Sequence, residues 1–113
     1  MQTDLDRTML ALANPTRRAI LQRLAQGEAR VTELARPFAI SLNSVSKHIR
    51  VLERAALVRR RRAGREHLLS FDPAPLDEAA AWILAQRSFW SERLDALERA
   101  LRGPTDISKR SRR

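Results

Sequence analysis

The segment from Ser41 to Leu57 constrains the fold more than any other part of the chain. At about 100° per residue it forms an amphipathic helix, with Ser41 suited to cap its first turn. One side is apolar, formed by Val45, Ile49, Leu52 and Ala56. The other side is basic and amide-bearing, formed by Asn43, Lys47, Arg50 and Arg54. Such a helix either presents a solvated face or enters a DNA major groove, where these side chains donate to base edges and phosphates.

The charge distribution favours the second interpretation. The chain has 113 residues and a formal net charge of +9, which indicates a polyanionic partner, nucleic acid before an anionic membrane surface. Residues 41–70 contain eight Lys or Arg against two acidic residues, whereas residues 72–101 contain three against six. The positive charge is therefore concentrated, as a phosphate-binding surface requires.

Several classes of function are excluded by the composition. The absence of cysteine removes disulfides, thiolate metal sites and cysteine nucleophiles. His48 and His67 are the only histidines and lie in different segments, so we expect no metal site and no cofactor. There is neither a glycine-rich phosphate loop nor a Ser/His/Asp arrangement, which argues against an enzyme. Without a long apolar run or signal peptide, we expect a cytoplasmic, nucleoid-associated protein with no membrane partner.

Shorter helices precede the basic helix. Apolar periodicity predicts helices over residues 4–13 and from 15 to about 26, with Asn14 as cap, Pro15 at the first position and Gly27 at the end. A short helix over residues 32–38 follows, with Thr32 as candidate cap. Residues 39–40 then form a turn. Two short helices around a tight turn, the second with a polar outer face, are typical of a helix-turn-helix motif.

A basic hairpin follows the helix-turn-helix motif. Val58–Arg62 and Glu66–Phe71 are candidate strands around Ala63-Gly64-Arg65, where Gly64 allows the positive φ that a hairpin turn needs. Five arginines lie here. They would either protect a solvated sheet edge or form a wing that contacts the DNA backbone or minor groove. The hairpin directly follows the basic helix, which would be the recognition helix of the motif, and this position favours the wing.

A long helix from about Pro75 to Arg102 ends the domain. Its apolar residues recur at spacings of four and three, which indicates a heptad seam, and a second stripe runs beside the seam. Packing within one chain is an alternative, but the length favours a homodimer. The first and last helices are expected to form the interface, through Leu5, Met9, Ile83, Trp90, Leu94 and Leu97. We therefore expect one domain over residues 1–102 and a disordered basic tail over 103–113.

Together these segments resemble the ArsR family of winged helix-turn-helix repressors. The resemblance covers about residues 3–101 and is carried chiefly by ANPTRRAIL (13–21) and VSKHIRVLERAALV (45–58). Pro37-Phe38 and the aromatic last helix resemble the branch without metal-binding cysteines. The fold implied is mainly α with a small β-hairpin, in the order α-α-α-α-β-β-α, dimeric through the first and last helices.

The resemblance also implies residue roles. The major groove would be contacted by Asn43, Ser44, Ser46, Lys47 and Arg50, with His48 beside them, and the wing would act through Arg62 and Arg65. Two positions depart from the family pattern: Asn43 stands where proline is common, and Ala56 where glycine is usual. Ala56 costs little if that residue is still helical, and strains the exit into the wing if it is not.

The expected function is therefore a homodimeric, sequence-specific repressor of transcription that binds a palindromic operator in double-stranded DNA and does not sense metal. The sequence does not identify an effector. The alternative is a protein-interaction module that uses the long helix and binds nucleic acid only non-specifically.

Overall fold

The computed structural model describes residues 3–103, and the rest of the tail expected over 103–113 lies outside these residues. In chain order the elements are α1 (Asp4–Leu12), α2 (Pro15–Leu24), β1 (Ala29–Arg30), α3 (Val31–Ala35), α4 (Leu42–Arg54), β2 (Val58–Ala63), β3 (Glu66–Phe71) and α5 (Ala74–Arg102). The predicted mainly helical fold with a basic hairpin is confirmed. The chain divides into two compact units at Ala79 and Ala80.

Side-chain caps fix where the first two helices begin. Thr3 and Asp6 form a reciprocal capping box at α1, with bonds of 3.1 and 3.2 Å. At α2 the predicted cap is confirmed: Asn14 Oδ1 accepts from the backbone N–H groups of Thr16 at 2.8 Å and Arg17 at 3.1 Å. Pro15 occupies the first position, where no N–H is needed.

The predicted cap of α3 is wrong. The helix begins at Val31, so Thr32 lies inside it and Arg30 is the capping residue. The Glu33 carboxylate accepts from the Arg30 backbone N–H at 3.0 Å and so satisfies a donor at the start of the helix. The helix ends at Ala35 rather than at Phe38. Arg36 keeps α-region dihedrals, but Pro37 has no backbone N–H with which to continue the helical hydrogen bonds.

A three-stranded antiparallel sheet replaces the simple hairpin. Its strand order is β1-β3-β2, and Ala29 pairs with Leu69 while Val58 pairs with Phe71. β2 and β3 are joined by the two-residue loop Gly64-Arg65, in which Gly64 has a φ of +65°. β1 has only two residues, so its sequence has no alternating pattern from which a strand could be predicted.

The core lies in the first unit and is aliphatic. Its largest fully buried side chains come from α2, α3, α4, the segment after α4, and β3: Ile20, Leu34, Val45, Ile49, Leu52, Leu57 and Leu69. Val45, Ile49 and Leu52 form the apolar stripe predicted for α4. Because this stripe is buried, the orientation of α4 about its own axis is fixed and its polar face points to solvent.

Ala56 has a left-handed backbone conformation, with a φ of +60°. It directly follows Ala55, the residue that caps the C-terminus of α4. The Ala56 N–H donates to the carbonyl of Glu53 and the Leu57 N–H to that of Leu52, both at 3.0 Å, which is the Schellman pattern. The possibility that Ala56 is helical is therefore wrong, and this residue carries the strain of the exit into β2.

The 29-residue helix α5 starts one residue before the predicted position and ends at the predicted one. From Ala80 to Leu101 its side chains are exposed, except for Gln86, which is half-buried. Phe89 and Trp90 contact each other edge to face at 5.8 Å, and the Arg93 guanidinium lies 5.0 Å from the Phe89 ring centroid. Within residues 3–103, no helix combines the length and apolar character that a membrane span requires.

Candidate nucleic-acid interface

The outer face of α4 presents polar side chains to solvent. Asn43, Lys47 and Arg50 are exposed, and no side-chain hydrogen bond or ion pair within residues 3–103 involves them. The helix start is fixed by Ser41, whose Oγ accepts from the Ser44 backbone N–H at 3.1 Å and donates to Ser44 Oγ at 3.0 Å. The donors on this face are therefore available to an external partner.

Three other predicted contacts, Ser44, Ser46 and His48, are half-buried. The Ser44 hydroxyl already accepts from Ser41, which leaves its own O–H free to donate outward. His48 Nδ1 lies 3.2 Å from Arg17 Nη1. Burial and, secondarily, the Arg17 charge lower the pKa of His48, so this ring is neutral at physiological pH.

Three of the five hairpin arginines are bound to carboxylates. Arg59 contacts Asp72 at 2.8 Å, and Arg60 contacts Glu53 through two bonds of 3.0 and 3.1 Å. Arg61 contacts Glu28 through two bonds of 2.8 and 2.9 Å. These arginines connect β2 to other elements and have part of their charge neutralised locally.

Arg62 and Arg65, the two arginines predicted as DNA contacts, differ from the others. Arg62 Nε donates to the Gly64 carbonyl at 3.1 Å, and this bond keeps the Arg62 guanidinium near the hairpin tip. Arg65 is an exposed residue of the loop itself. Within residues 3–103 neither forms an ion pair with a carboxylate. The tip of the hairpin is therefore its most available positive charge.

The bidentate pairs shift the pKa values of Glu28, Arg60 and Arg61. The hydrogen bond and charge of Arg61 lower the pKa of Glu28, and Glu28 in turn raises the pKa of Arg61. The hydrogen bond to Glu53 likewise raises the pKa of Arg60. Because the folded-state pKa of Glu28 is depressed, this pair is present at neutral pH and is lost as the pH falls through that value.

Two kinds of residue were missed by the sequence interpretation. Ile40 and Leu42, on either side of the Ser41 cap, have exposed fractions of 42% and 49%, and apolar side chains at such a position can contact thymine methyl groups. The second kind comprises Arg17 and Arg18, for which the sequence predicted no specific contact. Arg17 donates to the carbonyls of Leu10 and Ala11, and Arg18 to that of Leu12. Each of these side chains bonds to a carbonyl six or seven positions earlier in the chain. Hydrophobic periodicity does not predict bonds of this kind.

A second candidate surface lies on α5. Of the residues predicted to form the dimer, Ile83, Trp90, Leu94 and Leu97 are exposed to between 49% and 61%. Leu5 and Met9 of α1 are half-buried in the single chain. A contiguous apolar stripe of this kind is characteristic of a protein interface.

Comparison with known proteins identifies the chain's relatives. Residues 12–61 match the model of a family described as a helix-turn-helix domain. The HTH-type transcriptional regulator Rv2034 of Mycobacterium tuberculosis is 44% identical over 89 residues, which cover 79% of this chain and 80% of the relative. The transcriptional repressor SdpR of Bacillus subtilis is 32% identical over 74 residues, covering 66% and 82% respectively.

Solved structures agree with these relatives. The crystal structure of an ArsR family transcriptional regulator, RHA00566, superposes with a TM-score of 0.74 at 39% identity, covering 79% of this chain and 98% of that one. The homodimeric winged helix-turn-helix DNA-binding domain of Mb0332 from Mycobacterium bovis, a possible ArsR-family regulator, gives a TM-score of 0.58 at 28% identity, covering 82% and 83%. With its exposed basic α4 and its basic hairpin, the chain belongs to the ArsR family of winged helix-turn-helix transcriptional regulators, which bind DNA and are not enzymes.

Proposed function

We propose that this regulator is a homodimeric repressor that binds a palindromic operator, with α4 in the major groove and the β2–β3 hairpin on the backbone or in the minor groove. The observation that carries the proposal is the contrast in pairing between the basic residues. Lys47 and Arg50 on α4, and Arg62 and Arg65 at the hairpin tip, are without carboxylate partners within residues 3–103. Unpaired cations retain their full attraction for phosphate.

The direct contacts of α4 divide by chemistry. Asn43 offers an amide that can bond adenine in two places, and Arg50 a fork that matches guanine. Lys47 adds a point charge suited to phosphate, and the hydroxyls of Ser44 and Ser46 are short donors near the start of the helix. His48 completes the set from the side of the helix facing Arg17. Asn43, in place of the proline common in the family, would change base preference.

A dimer would make the operator palindromic. The exposed stripe of α5, through Ile83, Trp90, Leu94 and Leu97, is the proposed interface, and Leu5 and Met9 of α1 would contribute where they remain accessible. The neighbour Mb0332 is described as homodimeric, which supports this assignment. Two recognition helices would then enter successive major grooves about 34 Å apart. Repression would follow because the dimer occupies a promoter.

We also propose that the repressor does not sense metal ions. The chain has no cysteine, and its two histidines lie on α4 and in the hairpin. Soft metals prefer thiolates, and zinc takes several Cys, His or carboxylate ligands at one place. Release from DNA would then need a different signal, one that favours a dimer with altered spacing of its recognition helices.

The proposal is tested by binding to DNA from upstream of the protein's own gene against a scrambled duplex of equal length, over a series of salt concentrations. We expect the native fragment to be preferred at every salt concentration. Lys47→Ala with Arg50→Ala should abolish that preference and leave the dimer intact.

The matched control is Arg23→Ala with Arg99→Ala, which removes two positive charges from α2 and α5 but none from α4 or the hairpin. This variant should lose affinity for both duplexes slightly and keep its preference. If sequence preference survives the double change on α4, that helix does not read the operator. Equal binding of wild type to both duplexes would instead support the interaction-module alternative.

A further inference from the structure

Arg17 is a residue of α2 whose side chain contacts two other helices, α1 and α4. It lies in the first turn of α2, where its backbone N–H donates to the Asn14 cap at 3.1 Å. Its guanidinium donates from Nε to the Ala11 carbonyl at 2.9 Å and from Nη2 to the Leu10 carbonyl at 2.8 Å. Nη1 reaches His48 Nδ1 on α4 at 3.2 Å. The side chain of this α2 residue therefore connects the end of α1 to α4.

The contact with the end of α1 is chemically well matched. The last carbonyls of a helix lack their regular helical partners, and they carry partial negative charge. In α1 the Leu10 carbonyl accepts from the Ala13 N–H at 3.2 Å as well as from Arg17. A planar guanidinium can satisfy two adjacent carbonyls and still present a third N–H elsewhere. A lysine ammonium is a compact point charge and does not reproduce this fork.

The contact with His48 determines where the imidazole proton lies. Arginine only donates and does not lose its proton in proteins, so the facing Nδ1 must accept. In a neutral imidazole the proton is then on Nε2. Within residues 3–103, no hydrogen bond involves Nε2. His48 therefore has one nitrogen occupied by the protein and one N–H available to an outside acceptor.

Protonation of this ring is opposed by its surroundings. Burial lowers the pKa of His48 first, and the Arg17 charge lowers it further. Among the charged side chains of the described residues, only Arg17 adds an electrostatic contribution, although α4 also carries Lys47 and Arg50 nearby in sequence. A neutral ring with a fixed tautomer is the state that persists at physiological pH.

We propose that Arg17 is a positioning residue for DNA recognition: it holds His48 in the neutral Nε2–H tautomer, so that this N–H donates to a DNA phosphate oxygen, and it ties α4 to the C-terminal carbonyls of α1. The inference rests on the proposed function, because it requires α4 to contact DNA. Arg17 itself touches no DNA in this scheme and acts through His48.

The tautomer is measured by long-range ¹H–¹⁵N NMR of the histidine rings in the full-length protein, without DNA. The chain has two histidines, and His67→Gln leaves His48 as the single ring signal. We expect a protonated Nε2 and an unprotonated Nδ1 at neutral pH, with His48 titrating below the ordinary histidine range. A protonated Nδ1, or rapidly averaged tautomers, in the wild type would overturn the inference.

Arg17→Lys separates positioning from simple charge. We expect His48 to lose its single tautomer, its titration to move upward, and operator affinity to fall about tenfold, as one charge-assisted hydrogen bond is removed. Arg18→Lys is the matched control: Arg18 also donates to a carbonyl of α1, that of Leu12 at 2.7 Å, but does not contact His48, so the ring should not respond. Weakened binding with an unchanged His48 signal would contradict the positioning role.

Two substitutions at His48 provide a test that keeps Arg17 intact. His48→Gln places an amide N–H near the former Nε2, whereas His48→Asn can accept from Arg17 but reaches no phosphate. We therefore expect His48→Gln to bind the operator about threefold more tightly than His48→Asn, and both to bind more weakly than the wild type. The opposite order would overturn the inference. Because the tautomer is read without DNA, a wild type that prefers no operator would contradict the proposed function and not the ring geometry.

Discussion

Arg61 and Arg65 are identical side chains on one hairpin, yet they have different surroundings because only Arg61 lies within reach of a carboxylate. The partner of Arg61, Glu28, is 33 residues away in sequence. The charge run alone therefore predicted a DNA contact for the hairpin but did not show which arginines lack a carboxylate partner. The Ser41 cap was predicted correctly because its partner, Ser44, lies three positions away. The burial of Val45 was predicted correctly because the helical period alone places it on the apolar face of α4.

Ala56 is the residue at which the backbone is most clearly strained. Its φ of +60° places a Cβ in the left-handed region, which costs roughly 1–2 kcal/mol for a non-glycine residue. Ala56→Gly removes this strain, and the greater freedom of glycine in the unfolded chain offsets part of the gain. We expect the free energy of unfolding to rise by about 0.5–1 kcal/mol. Chemical denaturation monitored by circular dichroism measures this.

A glycine at a neighbouring position provides the control for that prediction. Ala55, the buried C-cap residue, has a φ of −82° and gains nothing from glycine, so Ala55→Gly should destabilise the protein. If both substitutions destabilise it to the same extent, the conformation of Ala56 does not carry the strain.

At the scale of elements, the predicted helices and strands depended on patterns long enough to repeat. The start of α4 and both ends of α5 were predicted nearly to the residue, because each helix has several turns of regular spacing and α4 has a capping serine. The end of α4 was placed too late, because Ala56 lies beyond the C-cap in a left-handed conformation. β1 was missed because two residues carry no alternation. The start of α3 was misplaced because the cap is formed by Glu33 reaching back to Arg30, and Thr32 was the more familiar capping residue.

The hairpin gives a prediction about salt dependence. Arg62→Ala with Arg65→Ala should weaken binding to all DNA sequences, because these two arginines have no competing carboxylate within the described part of the chain. The slope of log affinity against log salt concentration should become shallower by about 0.9 for each phosphate that the variant no longer neutralises. Fluorescence anisotropy of a labelled duplex over a salt series measures both quantities.

Arg59→Ala with Arg61→Ala is the matched variant, since it removes two arginines from the same strand. Both are paired, with Asp72 and Glu28. Exposed pairs of this kind contribute little to stability, so the variant should remain folded. Its salt slope should change less than that of the tip variant. An equal change of slope would mean that the internal pairs do not restrict Arg59 and Arg61.

For the whole molecule, the central prediction is that α5 associates two copies of the chain. Leu94 is 61% exposed in the single chain and lies on the same stripe as Trp90 and Leu97. Leu94→Asp would bury an unpaired carboxylate in the interface, which is strongly unfavourable. We expect a monomer, measured by sedimentation velocity, and weak operator binding as a consequence, because two half-sites are no longer engaged together.

Ser88→Asp introduces the same charge on the same helix, but on its polar side beside Glu92 and Asp95. This variant should sediment as the wild type does. An unchanged sedimentation profile for Leu94→Asp would show that the stripe is not the interface, and the exposed apolar residues of α5 would then need another partner.

The distribution of tryptophan gives the molecule an internal optical probe. The chain has two tryptophans and no tyrosine, and both indole rings, Trp82 and Trp90, are exposed side chains of α5. Intrinsic emission is therefore silent about the recognition helix and reports only the surroundings of α5. Recording the emission maximum while an unlabelled operator duplex is added would test whether DNA binding changes the surroundings of these two tryptophans. Both belong to the unit that begins at Ala80, whereas α4 belongs to the unit that ends at Ala79.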